Sequence, residues 1–486
     1  MDYDIVIVGA GIAGINAAYR LQTQLPNHRY AILEARNAIG GTWDLFRYPG
    51  IRSDSDLFTF GFSWNPWPQD NLIAEGASIS KYMRDTAAQV GIDKHIQFQH
   101  RLLAADWSSS ENVWKLAVDH EGELKSYTAR FVIFGTGYYN YDEPLSVEIP
   151  GLERFQGKVI HPQFWPEDLD YSGKKVVIIG SGATAITLLP KMAETAAKAT
   201  MLQRSPTYIL PLPNRQNPLL SYIFPTALSR KLQRLQWIIV SRIFFLFCQA
   251  FPWLARSILK LTVIRRLPKH VPFEPHFKPR YNPWDQRLCV SPDGDFFQSL
   301  HTGRADVKTD TIRQVTASGI ELNSGETLDA DIIVTATGLK LQIAGGTSIT
   351  VDGQKQRVSD KYLWNGVMLQ DLPNASFVIG YTNASWTLGA DATALFVCRL
   401  LKYMKQQHKA AAVPRVSPAL ASRMQQRQLL NLNSTYVTAA QKDLPKAADR
   451  GPWKPRDNYL SDLFLVQYGR IDEGLEWVDE LSRKQQ

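Results

Sequence analysis

The chain has 486 residues, 44% of them apolar, with 31 glycines, 27 prolines and a formal net charge of +8. That length is enough for two to four domains with real cores, and the composition excludes a fibrous or disordered chain. The charge is local: residues 215–273 hold ten basic residues and no acid, leaving 44 basic against 46 acidic elsewhere, so nucleic-acid binding by the whole chain is not supported.

Three scattered cysteines, Cys248, Cys289 and Cys398, form no C-x-x-C pair, so neither a metal site nor a disulfide framework is indicated. The N-terminus opens directly on a strand-like run with no basic or cleavable apolar leader. Both features fit a reducing, cytoplasmic setting.

The run DYDIVIVGAGIAG reads as a strand entering Gly9, Gly11 and Gly14, followed by a helix. Gly9 permits the tight turn, Gly11 lets the backbone approach a pyrophosphate, and Gly14 lets the helix pack on the strand. The helix N-terminus offers free N–H groups to phosphates. A second strand, RYAILEA, ends at Glu34, whose carboxylate suits ribose hydroxyls and repels a 2′-phosphate, so the ligand is FAD or NAD. The bland alternative is a tight turn in an ordinary α/β domain.

The following loop, GGTWDLFRYPGIRSDSD, carries Trp43, Tyr48, Arg52, Asp54 and Asp56 and is too rich in glycine and proline for a regular element. It reads as wrapping a flat polar ligand, or else as a surface loop with a buried tryptophan anchor. A second nucleotide loop, KKVVIIGSGATA, has Gly180, Gly182 and Ala185 at the three glycine positions. After the next strand the acidic residue is replaced by Gln203, Arg204 and Ser205. A guanidinium there can pair with a 2′-phosphate, which makes the first site FAD and the second NADP, unless Arg204 is simply solvated.

Two apolar runs, ARFVIFGTG and ADIIVTATG, end at Gly137 and Gly338 and read as strands returning to doubly wound sheets. The expected architecture is α/β, with two dinucleotide-binding (Rossmann-like) domains, the NADP domain inserted into the FAD domain, and a helical lobe. The expected limits are 1–145 with 340–486, 146–211 with 287–339, and 212–286 for the lobe. A helix starting near Gly389 and Asp391 is expected to point its N-terminus at the flavin. The segment 215–273 allows three readings: a buried roof over the substrate site, a lobe that also makes peripheral contact with an anionic membrane, or a protein-binding surface. From Phe224 to Leu267 its longest uncharged run, Ile243–Ala255, is too short to span a bilayer.

Two motifs flank these loops: Phe155, Gly157, His161, Trp165 and Pro166 in FQGKVIHPQFWP, and Gly40, Gly41, Trp43, Tyr48, Pro49, Gly50 and Asp54 in the first loop. With them the chain resembles the class B flavoprotein monooxygenases and, among these, the Baeyer–Villiger family. The wording GGTWDLFRYPGIRSDSD and YNPWDQRLC is similar to the branch that contains the mycobacterial ethionamide-activating monooxygenase.

The resemblance implies FAD and NADPH as cofactors, O2 and a small apolar ketone as substrates, and oxygen insertion beside the carbonyl through a peroxyflavin to give an ester or lactone. It implies FAD contacts from Gly9, Gly11, Ala13, Gly14, Glu34, Gly41, Thr42, Trp43, Asp44, Leu45, Asp54 and Leu102. For NADP it implies Arg52, Asp54, Gly180, Ser181, Gly182, Ala183, Thr184, Ala185, Arg204 and Ser205. Arg287 matches the catalytic arginine and Asp54 the carboxylate that pairs with it, while His161 is expected to hold the linker between domains rather than move protons. The plainer reading makes His161 and Trp165 core filler. Gln286 stands where many relatives have a lysine that contacts the 2′-phosphate, so NADP recognition falls on Arg204 and Ser205. Two other classes remain: a flavin monooxygenase oxidising sulfur or nitrogen, whose hallmark stretch lacks the Trp165–Pro166 pair, and an uncoupled oxidase or flavin-bearing interaction module.

Overall fold

A computed structural model describes residues 1–215 and 219–480. Residues 216–218 of the expected lobe and 481–486 of the expected first domain lie outside the described residues.

The first sheet has a parallel heart. Ile96–Gln97, Tyr30–Leu33, Tyr3–Val8, Glu123–Phe134 and Ala375–Phe377 lie side by side in that order. Ile5, Val6 and Ile7 of the first strand are fully buried, as a strand covered on both faces requires. The strand Glu123–Phe134 outruns this parallel core. It also pairs antiparallel with Val113–His120, which pairs with His100–Ser108, so a meander springs from the same sheet. The helices Ile12–Gln24 and Trp386–Gln406 pack together over the sheet.

The second sheet is wholly parallel, in the order Ala305–Thr309, Lys198–Gln203, Lys175–Ile179, Ile332–Thr335 and Lys158–Ile160. Both runs ending in paired glycines are therefore interior strands, each beside the strand that feeds its nucleotide loop. Lys158–Ile160, inside the Phe155–Pro166 motif, is the edge strand of this sheet and not a free linker.

The helical lobe is stapled at its base. Ile209–Leu212 runs parallel to Cys289–Pro292, and everything between them is excursion. Its two main helices, Thr226–Ala250 and Pro252–Ile264, meet at 114°, at the proline that cannot continue the first helix. Among the described residues no single helix is long and apolar enough to cross a membrane.

Candidate active site

Both nucleotide loops open into one cavity of about 960 Å³. In the first loop Gly9 has φ +101°, and a Cβ there would lie 2.8 Å from the Gly135 carbonyl oxygen. A Cβ on Gly14 would fall 1.9 Å from the Gly9 oxygen, so helix and strand touch only because neither position carries a side chain. Gly11 faces Gly41 of the second motif, leaving bare backbone on both sides of the cleft. Glu34 ends its strand as expected. Ala10 N–H donates to Oε2 at 2.7 Å and Arg36 N–H to Oε1 at 2.9 Å. Burial pushes this carboxyl up and the two N–H groups pull it back down. A carboxylate has about four acceptor positions, so two remain for ribose hydroxyls.

Ala13, Thr42, Trp43, Leu45 and Leu102 line the cavity, and Thr42 Oγ1 lies 3.0 Å from the Tyr141 hydroxyl. Asp44 sits behind the wall. It is buried and holds Arg36 at 2.7 Å and Arg47 at 3.2 Å, so it reaches the cleft through Arg36, which does line it.

The second loop repeats this logic. Gly180 has φ +140°, and a Cβ would meet the Ala336 carbonyl oxygen at 2.2 Å, whereas one on Gly182 would meet nothing within 4 Å. Gly182 therefore presents open backbone, with the helix Ala183–Met192 starting directly behind it. Ala185 is fully buried in the third position, and Ser181, Ala183 and Thr184 line the cavity. Ser181 Oγ donates to the Ser205 carbonyl at 2.9 Å. Gln203 turns inward, its amide donating to the His276 carbonyl at 2.7 Å and to Thr309 Oγ1 at 2.9 Å. Arg204 and Ser205 are left to face the cavity, with the Arg204 guanidinium 3.5 Å from Thr435 Oγ1.

The loop of residues 40–56 ties the two nucleotide units together. Its Gly41 end meets Gly11, and burial raises the pKa of the enclosed Tyr48, whose hydroxyl bonds to Thr184 of the second loop. Gly50, at φ +75°, sits so close to the helix Ala183–Met192 that a Cβ would lie 2.6 Å from Lys191 Cγ. Arg52 then pairs with Asp295 and reaches the Val290 carbonyl at 3.4 Å. Arg52 does line the cavity, but much of its charge is answered by Asp295. Asp56, expected to face a ligand, instead caps the short helix Leu57–Phe60 by accepting from Thr59 N–H at 2.7 Å.

The Phe155–Pro166 motif belongs to the second unit. A Cβ on Gly157 would strike the Asp331 carbonyl oxygen at 2.3 Å, which explains the glycine. Trp165 is buried in the core that also holds Phe46 and Tyr48, and Phe155 packs on a neighbouring cluster. His161 accepts from Gln163 N–H at 3.3 Å; burial lowers its pKa, and the Gly338 carbonyl beside it raises it again. Gln163 Nε2 donates to the Asn140 carbonyl at 2.8 Å, and this contact joins the motif to the segment leaving the first sheet.

Arg287 lies just before the strand Cys289–Pro292, at the wall shared by both loops. Its Nη2 donates to the Ala384 carbonyl at 3.3 Å. Asp54 does not form a direct ion pair with it. The two line the same cavity, and desolvation at its wall raises the Asp54 pKa while Arg287 and then Arg52 lower it. The close partnership expected from sequence is thus a coupling across space.

Around Arg287 stand three tyrosines that sequence reasoning passed over. Tyr138 and Tyr139 share a hydroxyl contact of 2.7 Å, Tyr138 stacks on Trp386 at 4.4 Å between centroids, and Tyr436 comes from near the C-terminus. Burial raises all three pKa values, so they are neutral phenols and set no charge of their own against the guanidinium. GTGYYNY, directly after a strand end, was the available signal for two of them; nothing local marked Tyr436.

The helix Trp386–Gln406 begins earlier than expected, after Ser385, and Trp386 lines the cavity. Asp391 is one turn further in, paired with Arg20 at 2.8 Å and set back from the cavity wall.

The sequence profile of the flavin-binding monooxygenase-like family matches residues 4–402. The chain belongs to that family. It is 48% identical to the FAD-containing monooxygenase EthA of Mycolicibacterium smegmatis over 97% of this chain and 96% of the relative. It is 47% identical to the protein of the same name from Mycobacterium tuberculosis over 98% and 97%. A probable FAD-binding monooxygenase AlmA of Acinetobacter baylyi is 45% identical over 98% and 96%. Among solved structures the fold matches an oxidised steroid monooxygenase bound to NADP, with a TM-score of 0.80 at 20% identity over 99% of this chain and all of the other. It also matches a cyclohexanone monooxygenase bound to ε-caprolactone, with a TM-score of 0.76 at 20% identity over 98% and 99%. This flavin-binding monooxygenase therefore carries the doubly wound α/β architecture expected from its two glycine loops.

Proposed function

We propose that this flavin-dependent monooxygenase is an NADPH-dependent Baeyer–Villiger enzyme acting on a small apolar ketone. One atom of O2 enters the carbon–carbon bond beside the carbonyl to give an ester or lactone, and the other leaves as water with oxidation of NADPH. The observation that carries the reading is Arg287: a half-buried guanidinium among uncharged phenols, on the wall common to both dinucleotide loops. A positive charge held in a water-poor site stabilises oxygen anions as they develop.

The cradle fits both cofactors. FAD is assigned to the bare backbone between Gly11 and Gly41, with Glu34 for its ribose. NADP is assigned to the open backbone at Gly182, with Arg204 and Ser205 for its 2′-phosphate. When bound, FAD would supply the redox chemistry with NADPH and O2 that no side chain offers. Arg287 keeps its proton at any working pH and serves as an electrostatic clamp. Asp54 tempers the field between Arg287 and Arg52, and the stacked rings of Trp386 and Tyr138 give the cavity wall an apolar stretch beside the charge.

The purified, flavin-loaded protein is offered NADPH with and without a ketone, and products are identified. Ketone-dependent NADPH oxidation with ester formation supports the reading. Turnover only on a thioether or amine places the enzyme in the sulfur- and nitrogen-oxidising class.

A further inference from the structure

The helix Thr226–Ala250 has its polarity reversed. Its inner face buries Ser229, Gln233 and Arg234, and Arg234 Nη1 donates to the carbonyls of Phe58, Thr59 and Gly61 at 2.9, 3.2 and 2.7 Å. Its outer face carries Leu228, Leu235, Ile239, Ile243 and Leu246, all exposed, and helical spacing puts them in one stripe. Pro252–Ile264 does the same, with Ala255, Leu259 and Val263 inward and Trp253, Leu261 and Ile264 outward. Ile243 is 60% and Trp253 69% exposed. Of 24 large apolar side chains exposed among the described residues, 14 lie between 219 and 264, so the feature belongs to this lobe. Contiguous apolar surface of this kind marks an interaction site.

Charge identifies the occupant. Arg230 and Arg242 are answered by Asp70 and Asp457, at 2.8 Å each. Lys231, Lys260, Arg265, Arg266 and Lys269 are exposed and form no ion pair among the described residues, and residues 215–273 contain no acid. A second copy docked symmetrically would set these cations against one another. The complement is an extended anionic surface with an apolar interior. Neither helix alone is long and apolar enough to span, and the two diverge by 114°; an amphipathic helix of this type lies in the plane of the interface.

We propose that the outer face of this bent helix pair docks on an anionic lipid bilayer, with Ile243, Leu246, Trp253 and Leu261 at the acyl boundary and Lys231, Lys260 and Arg265 among the headgroups. The helix Tyr459–Tyr468 adjoins the patch, since Leu463 and Ile238 pack on the same cluster, and it exposes Leu460, Phe464 and Tyr468 at four-residue spacing.

The test is flotation of the flavin-loaded full chain, without substrate, on vesicles of phosphatidylcholine alone and of phosphatidylcholine with phosphatidylglycerol in equal parts, at low and high salt. Binding to the anionic vesicles that weakens with salt is expected. Lys260→Glu with Arg265→Glu should lower partitioning by at least ~25-fold, since each basic residue near such a surface contributes about fivefold. Ile243→Glu with Trp253→Glu should lower it ~tenfold or more at every salt concentration. These positions are solvent-facing, so flavin content and NADPH oxidation should be unchanged and report an intact fold. No binding by the unaltered protein, or equal binding to both vesicle types, overturns the proposal. So does self-association in the ultracentrifuge that Ile243→Glu abolishes while vesicle binding is absent, because the face would then be a protein interface. None of these outcomes depends on which substrate is oxidised.

Discussion

The Arg287 guanidinium is anchored to the Ala384 carbonyl at 3.3 Å and makes no direct ion pair with Asp54. Ala384 lies just before the helix Trp386–Gln406 of the first unit, so the proposed catalytic charge, carried on the other side of the cavity, is aimed by the flavin-side backbone. Arg287→Ala should leave flavin binding and its reduction by NADPH intact and lower ester formation by about 3 kcal/mol or more in the barrier. Arg287→Lys keeps the charge and loses the planar fork, and should recover only part of the rate. Stopped-flow reduction and product yield separate the two steps.

Asp54 sets a pH dependence. Its side chain is open to the cavity, yet desolvation by the protein packed around it raises its pKa, so just above the ordinary carboxylate range the folded protein holds a proton there that the unfolded chain releases. Stability should therefore fall as pH rises from the ordinary carboxylate range to the raised folded value. Asp54→Asn should remove that loss and raise Tm at neutral pH. If the charge assists turnover, the acid limb of kcat/KM lies above the usual carboxylate range and shifts or vanishes in the variant, which a pH–rate profile reads directly.

Cofactor choice rests on Arg204, which projects into the cavity while Gln203 is bound inward. Removing a charge-assisted contact costs roughly 1.5–3 kcal/mol. Arg204→Ala should thus raise KM for NADPH by about tenfold or more and leave KM for NADH nearly unchanged. Equal changes for both would withdraw the 2′-phosphate role.

Gly180→Ala separates the two loops. A Cβ there would sit 2.2 Å from the Ala336 carbonyl oxygen, and backbone cannot yield as a side chain can. The overpacking costs roughly 1–3 kcal/mol and falls on the NADP loop alone. The variant should purify yellow and bind NADPH poorly, as absorbance and titration would show.

The nucleotide loops were readable because their glycine pattern is local even where its cause is not. Gly14 answers to the Gly9 carbonyl of the same turn, Gly9 and Gly180 to Gly135 and Ala336 at the ends of neighbouring parallel strands, and Glu34 sits at the end of a strand with a clear pattern. Arg287 and Asp54 carried no such local signature and were placed through family resemblance. Tyr436 joins them from near the C-terminus, a meeting made by tertiary packing. The start of the helix at Trp386 was misjudged because Gly389 looked like a turn, although Ser385, a favoured cap residue, stood nearby. Gly389 is instead small because a Cβ would lie 2.8 Å from Gly380 Cα. In the lobe both helix faces hold apolar residues, so spacing alone gave no direction. The buried Arg234 and exposed Ile243 reveal it.

The central claim is that one cavity unites flavin, NADPH and a ketone around Arg287. Turnover under isotopically labelled O2, with NADPH and a ketone, tests it most directly by mass spectrometry of the product. One labelled oxygen should appear in the ester per NADPH consumed, and Arg287→Ala should abolish the labelled ester while its flavin is still reduced. NADPH consumed with only hydrogen peroxide formed, or labelled ester made undiminished by Arg287→Ala, would contradict the account.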